Sequence, residues 1–111
     1  MIGGFILGQN PGSSRIAIRG LGPSLANSGL NSVLQDPAVV LVDENGNVLA
    51  HNDDWESDSV SAAQLTAHGL ALPDEKEAGL FVRLAPGAYT VIFDGKWISA
   101  GIGLVEIYNL K

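Results

Sequence analysis

The chain has 111 residues, a formal net charge of −6 and no cysteine. That length holds one domain rather than two, and it can bury a core without covalent staples. The missing cysteines exclude disulfides, thiolate zinc sites and a cysteine nucleophile. Six scattered Lys and Arg against twelve Asp and Glu do not make the basic stripe that nucleic acid or an anionic membrane surface requires.

With 46% hydrophobic and 16% charged residues, the chain reads as globular and not disordered. The opening Met1-Ile2-Gly3-Gly4-Phe5-Ile6-Leu7-Gly8 is too short for a membrane span and lacks the basic start of a signal peptide. It reads as strand, the first strand running over residues 4–8. A secreted parent protein would make this chain a piece of something longer. Gln9-Asn10-Pro11-Gly12-Ser13 reads as a turn. Ser14-Arg15-Ile16-Ala17-Ile18-Arg19 then alternates, with Ile16 and Ile18 on one face and Arg15, Ala17 and Arg19 on the other. The first two strands are expected to pair as a hairpin.

Residues 20–30 read as a loop with a helical turn after Pro23, and Leu25, Leu30, Val33 and Leu34 tuck it onto the core. Asp36-Pro37 ends that stretch, and residues 38–43 form a strand. Asn45-Gly46 is a two-residue hairpin signal, with residues 47–51 returning antiparallel. Asn52-Asp53-Asp54-Trp55-Glu56-Ser57-Asp58 is a polar acidic loop. Residues 59–68 are the best helix, capped by Asp58 or Ser59 and stopped by Gly69. Pro73-Asp74-Glu75-Lys76-Glu77 suits one helical turn. Three strands close the chain, at residues 79–84, 89–94 and 101–109, joined by Pro86-Gly87 and by residues 95–100. Seven to eight short strands with one short helix predict an all-β fold, an antiparallel β-sandwich of jelly-roll-like type.

An ordered series runs through these segments. It comprises Ile18-Arg19-Gly20-Leu21-Gly22-Pro23-Ser24-Leu25, Asp36-Pro37, Asn52-Asp53-Asp54-Trp55, Glu77-Ala78, Leu84-x-Pro86-Gly87-x-Tyr89-Thr90 and Gly101-x-Gly103-Leu104-Val105-Glu106-x-Tyr108. The series resembles a β domain of large secreted or surface proteins in environmental bacteria, often placed near their C-termini. A weaker likeness is to the bacterial pre-peptidase C-terminal domain, whose members are β-sandwiches attached to secreted enzymes, some of them binding calcium. Asp43-Glu44-Asn45-Gly46, Asn52-Asp53-Asp54 and Leu84-Ala85-Pro86-Gly87-Ala88-Tyr89 match that outline. The Pro23 region and the acidic insertion depart from it.

Asn52, Asp53 and Asp54, with Glu56 and Asp58 close behind, offer the hard oxygens that calcium takes. EF-hand spacing is absent. The competing reading is a turn whose Asn and Asp side chains bond their own backbone and cap the next helix. Trp55 and Trp97 are the only tryptophans, and both fall in loops, so both are candidates for stacking on a glycan. The competing reading has each ring cover an open end of the sandwich with its N–H bonded to a carbonyl. His51 and His68 lack the companions of a zinc site. Arg19 has Asp36, Glu77 and Glu106 as candidate partners. Ser24 lies in Gly-Pro-Ser-Leu and not in a nucleophile elbow, and the acidic residues sit in polar runs, whereas a hydrolytic carboxyl pair needs one acid in a buried setting.

No enzyme and no cofactor are therefore expected, calcium being the one candidate. The leading expectation is a non-catalytic extracellular structural or adhesive module of a bacterial surface or secreted assembly, located extracellularly or at the cell surface. The first alternative is a self-assembling filament or tube subunit that uses its terminal strands. The second is a calcium- or carbohydrate-binding accessory module. The expected partner is protein, either further copies of the chain or a multidomain parent, with glycan a candidate, and without nucleic acid or membrane insertion.

Overall fold

The computed structural model describes residues 2–8, 12–95 and 101–110. Seven strands form two antiparallel sheets: β1 (Ile2–Leu7), β2 (Ser14–Leu21), β3 (Pro37–Asp43), β4 (Val48–Asn52), β5 (Ala78–Leu84), β6 (Gly87–Gly95) and β7 (Leu104–Asn109). One sheet runs β1-β6-β3-β4 and the other β5-β2-β7. The fold is the expected all-β sandwich, with one α-helix, α1 (Ser59–Ala67), and 3-10 turns at Pro23–Ser28 and Trp55–Ser57 among the described residues. Strands consecutive in the chain change sheet at almost every link, and only β3 and β4 form a hairpin.

That topology overturns one expectation. β1 does not pair with β2; it pairs with β6, from Ile2↔Ile92 to Leu7↔Gly87. β2 lies between β5 and β7 because both of its faces are buried. Ile16 and Ile18 face the opposing sheet, while Ala17 and Leu21 face a second apolar layer. A strand buried on both sides takes a central place, and its chain neighbour cannot claim that place merely by adjacency. Similarly, Pro86-Gly87 carries the chain from one sheet to the other, and Tyr89 braces the crossing by donating its hydroxyl to Ala85 O at 2.6 Å and stacking on Phe5.

The main core lies between the sheets. Phe5, Leu7, Val39, Leu41, Val91 and Phe93 from one meet Ile16, Ile18, Leu80 and Leu84 from the other. Phe93 presses so closely on β2 that a Cβ on Gly20 would lie 2.8 Å from its ring, so only glycine fits there. The smaller core lies under α1. Asp58 caps the helix, its Oδ1 accepting the N–H groups of Val60 and Ser61, and Leu65 points down from it onto the outer face of the β5-β2-β7 sheet. Residues 73–77 form a turn, closed by the Glu77 N–H donating to Asp74 O, and not the expected helical turn. The Asp74 N–H is committed there to the Glu77 side chain, and the Glu77 carbonyl to the Trp55 N–H.

The β3–β4 hairpin is looser than a two-residue turn. Asp43 N–H donates to Asn47 O at 2.9 Å and Gly46 N–H to Asp43 O at 3.1 Å, so residues 44–46 form the loop. Gly46 alone takes a positive φ, +85°. Asp43 Oδ1 accepts the N–H groups of Asn45 and Asn47, and Oδ2 accepts the Asn47 amide. The Asn47 N–H is the main cause holding the Asp43 carboxyl below the ordinary aspartate value of 3.8, its side-chain amide adding to the effect. A depressed folded value means that this stabilisation is present above the ordinary value and is lost as pH falls through the lowered one. An NMR titration is therefore expected to give Asp43 a midpoint under 3.8. Gly46→Ala, strained at that φ, is expected to cost about 1 kcal/mol in urea unfolding.

Candidate functional site

Where β4 ends, Asn52 turns inward and the acidic loop follows. Asn52 is buried, and its amide is fully engaged. Oδ1 accepts the Gly79 N–H at 3.0 Å, and Nδ2 donates to Asp54 O at 3.0 Å and to Ser57 Oγ at 3.3 Å. Asp54 O also accepts the Ser57 hydroxyl and its N–H. Trp55 N–H donates to Glu77 O at 2.8 Å, which lays the 3-10 turn over the start of β5. The side chains of Asp54, Glu56, Glu75 and Lys76 rim an open depression beside this loop.

The three candidate calcium ligands are thus not equivalent. The Asn52 oxygen faces the protein interior and holds Gly79, whereas Asp53 and Asp54 are half-buried at the surface. Among the described residues, no group of three or more His, Asp and Glu side chains is arranged to hold a metal ion. Trp55 is 7% exposed and belongs to the core under α1, with Leu65 and Leu72. Its ring packs in that layer on the outer face of the β5-β2-β7 sheet, not over an open end of the sandwich, and its Nε1–H finds no acceptor among the described residues. Trp97 lies outside the described residues. His51 is exposed on β4, and His68 at the end of α1 stacks on Phe81. Arg19 takes Glu106, directly across from it on β7, at 3.1 Å.

Glu77 departs from the expectation that every acidic residue sits in a polar run. It is completely buried. Oε2 accepts the Gly22 N–H at 2.8 Å, the Ser24 N–H at 3.1 Å and the Ser24 hydroxyl at 2.5 Å, and Oε1 accepts the Asp74 N–H at 3.2 Å. In all four contacts the side chain is the acceptor. Ser24 is accordingly a donor to a structural acid, with no imidazole at hand. In sequence, the only sign was an acid immediately before an apolar strand.

A second feature is just as hard to read from the sequence. α1 and the Trp55 turn cover the outer face of the β5-β2-β7 sheet, but among the described residues nothing covers the outer face of the other sheet. Cross-strand rows there run Ile2–Ile92–Val40–His51 and Gly4–Thr90–Val42–Val48. Ile2 is 73% exposed, Ile6 81%, Val48 61% and Ile92 38%. A water-facing sheet surface is ordinarily polar. The signal was present in Ala38-Val39-Val40-Leu41-Val42, where no polar residue alternates with the apolar ones.

In comparisons with protein-family models, curated proteins and solved structures, no match to this chain was found.

Two substitutions test the buried polar arrangement. Glu77→Gln turns an acceptor into a donor against N–H groups and is expected to cost about 2–3 kcal/mol in urea unfolding. Gly79→Ala places a Cβ 2.8–3.1 Å from Leu65, Leu72 and the Trp55 Cβ. It is expected to cost about 1–3 kcal/mol through overpacking, read as a lowered Tm.

Proposed function

We propose that this chain is a non-catalytic module that works by holding protein: a structural or adhesive domain of a bacterial surface or secreted assembly. The observation that carries this reading is the open apolar face of the β1-β6-β3-β4 sheet. Ile2, Ile6, Ile92 and Val48 contribute little to the core of the single chain, yet they are apolar and contiguous across strands. Contiguous exposed apolar surface of this kind marks a contact site. The buried polar side chains support the same reading, because Asn52, Ser61 and Glu77 are all spent on fastening segments together. β1 lies at a sheet edge and carries no charge and no proline, which favours pairing with protein over the calcium- or glycan-binding reading.

The test is a photo-cross-linking amino acid placed at Ile92 on the open face and, as a control, at exposed Ala67 at the end of α1. In the producing cells, position 92 is expected to give discrete protein adducts and position 67 none above background. Equal labelling at the two positions, or none at 92, removes the adhesive reading.

A further inference from the structure

The proposed function leaves the protein partner open. The sheet edges narrow it, and a partner inferred from them rests on that reading. Among the described residues, each sheet ends in strands with no further strand beside them, a template for pairing with another chain. Three of those edges are blunted. The β3–β4 register breaks between Leu41 and Val42, and β4 ends in Asn52, tied to β5 through the Gly79 N–H. β5 carries the exposed Arg83 and is packed by α1. β7 carries Glu106, held by Arg19. β1 has no such device. Ile2-Gly3-Gly4-Phe5-Ile6-Leu7 contains no charge and no proline, and its pairing with β6 runs unbroken.

We propose that β1 is the contact for a second copy of this chain, two β1 strands pairing antiparallel about a two-fold axis at Gly4. The two four-stranded sheets then become one continuous sheet. Parity limits the register, and the pairing of the two exposed isoleucines then selects it. Ile2, Gly4 and Ile6 point outward while Phe5 and Leu7 point into the core, so pairing that keeps the faces together must match outward residues with outward ones. Centring on Gly4 sets Ile2 against the partner's Ile6, Gly4 against the partner's Gly4, and Phe5 against the partner's Gly3. The two most exposed isoleucines of the strand cover each other, and the two open faces merge. A Cβ at Gly3 would meet nothing within 4 Å, so the incoming ring has room, as in aromatic–glycine cross-strand pairs. Gly4 at the axis has no side chain to hold the strands apart.

Stacking two open faces without edge pairing falls short on area. Strands about 4.8 Å apart and residues about 3.3 Å long give a face of about 300 Å², so two faces bury about 600 Å². A stable interface needs about 1,200 Å². Edge pairing draws instead on backbone hydrogen bonds and cross-strand side-chain pairs. Pairing of β1 with the β4 edge of the next copy would not close and would grow into a fibre.

Sedimentation velocity of the full chain from micromolar to millimolar concentration is expected to show a reversible monomer–dimer equilibrium that stops at the dimer. Gly4→Lys and Gly4→Asp each set like charges against themselves at the axis, and each is expected to raise the dimer Kd about tenfold or more. Mixed in equal amounts, the two variants are expected to recover the dimer, because opposite charges then meet. Both should fold, since a Cβ at Gly4 makes only an ordinary 3.5 Å contact with Tyr89 O; circular dichroism checks this. Ile6→Lys, at a position 81% exposed in the single chain, weakens the dimer without touching the core. A wild-type chain that stays monomeric, folded Gly4 variants that still dimerise, a mixture that stays monomeric, or open-ended growth each overturns the β1 dimer. If the dimer fails while adducts to a different protein persist at position 92, the adhesive reading stands without it.

Discussion

Glu77 has no contact with water, and its carboxyl group must find all its partners inside the protein. It finds them in segments far away in sequence: the Gly22 and Ser24 N–H groups and the Ser24 hydroxyl on one oxygen, the Asp74 N–H on the other. Its own backbone carbonyl takes the Trp55 N–H. The loop after β2, the acidic loop after β4 and the approach to β5 are therefore positioned by one residue. A buried carboxyl group left without partners costs more than its pairing returns, so the arrangement holds as a unit or not at all. Its main effect is to fix where these loops lie; its net gain in stability is modest.

The layer structure follows from that placement. With the Trp55 turn drawn onto Glu77, the chain enters α1 directly over β5, where Gly79 leaves space for Leu65, Leu72 and Trp55. Asn52 reinforces the same junction from the other side through the Gly79 N–H. One sheet is thereby buried on both faces. The chain has a single α-helix among its described residues, so nothing comparable covers the other sheet. Its outer isoleucines and valines are not explained by the core of one copy, and that mismatch between composition and position is what the proposed contact role rests on.

What the sequence made legible was local. Strand segments, an α1 start at Asp58 or Ser59 with its stop near Gly69, and a turn after Pro23 follow from short-range periodicity and capping, though the first strand lies at Ile2–Leu7 and not residues 4–8, and the last begins at Leu104 and not residue 101. Pairing was harder to read, because β1 and β2 are neighbours in the chain but belong to different sheets, a choice made by burial on both faces of β2. Glu77 looked like the end of an acidic run, since Asp74, Glu75 and Lys76 before it are at the surface. Only Gly22 and Ser24, 55 and 53 residues away, reveal its burial. For Trp55 the sequence left both a stacking and a covered ring open for the same reason: the bond from its backbone N–H to Glu77 O is tertiary.

Charge is distributed in step with this asymmetry. The net charge of −6 arises largely from acids in loops: Asp43 and Glu44 at the hairpin, residues 53–58 after β4, and Asp74 and Glu75 before β5. Among the described residues on the open sheet face, Asp94 alone carries a formal charge. Repulsion between copies is therefore concentrated at the ends of the strands, where it is screened over about 10 Å at 0.1 M salt. It is weakest across the uncharged stretch formed by Ile2, Gly4, Ile6, Thr90 and Ile92. The uncharged stretch reaches the β1 edge, so the loop charges lie away from the edge contact proposed there.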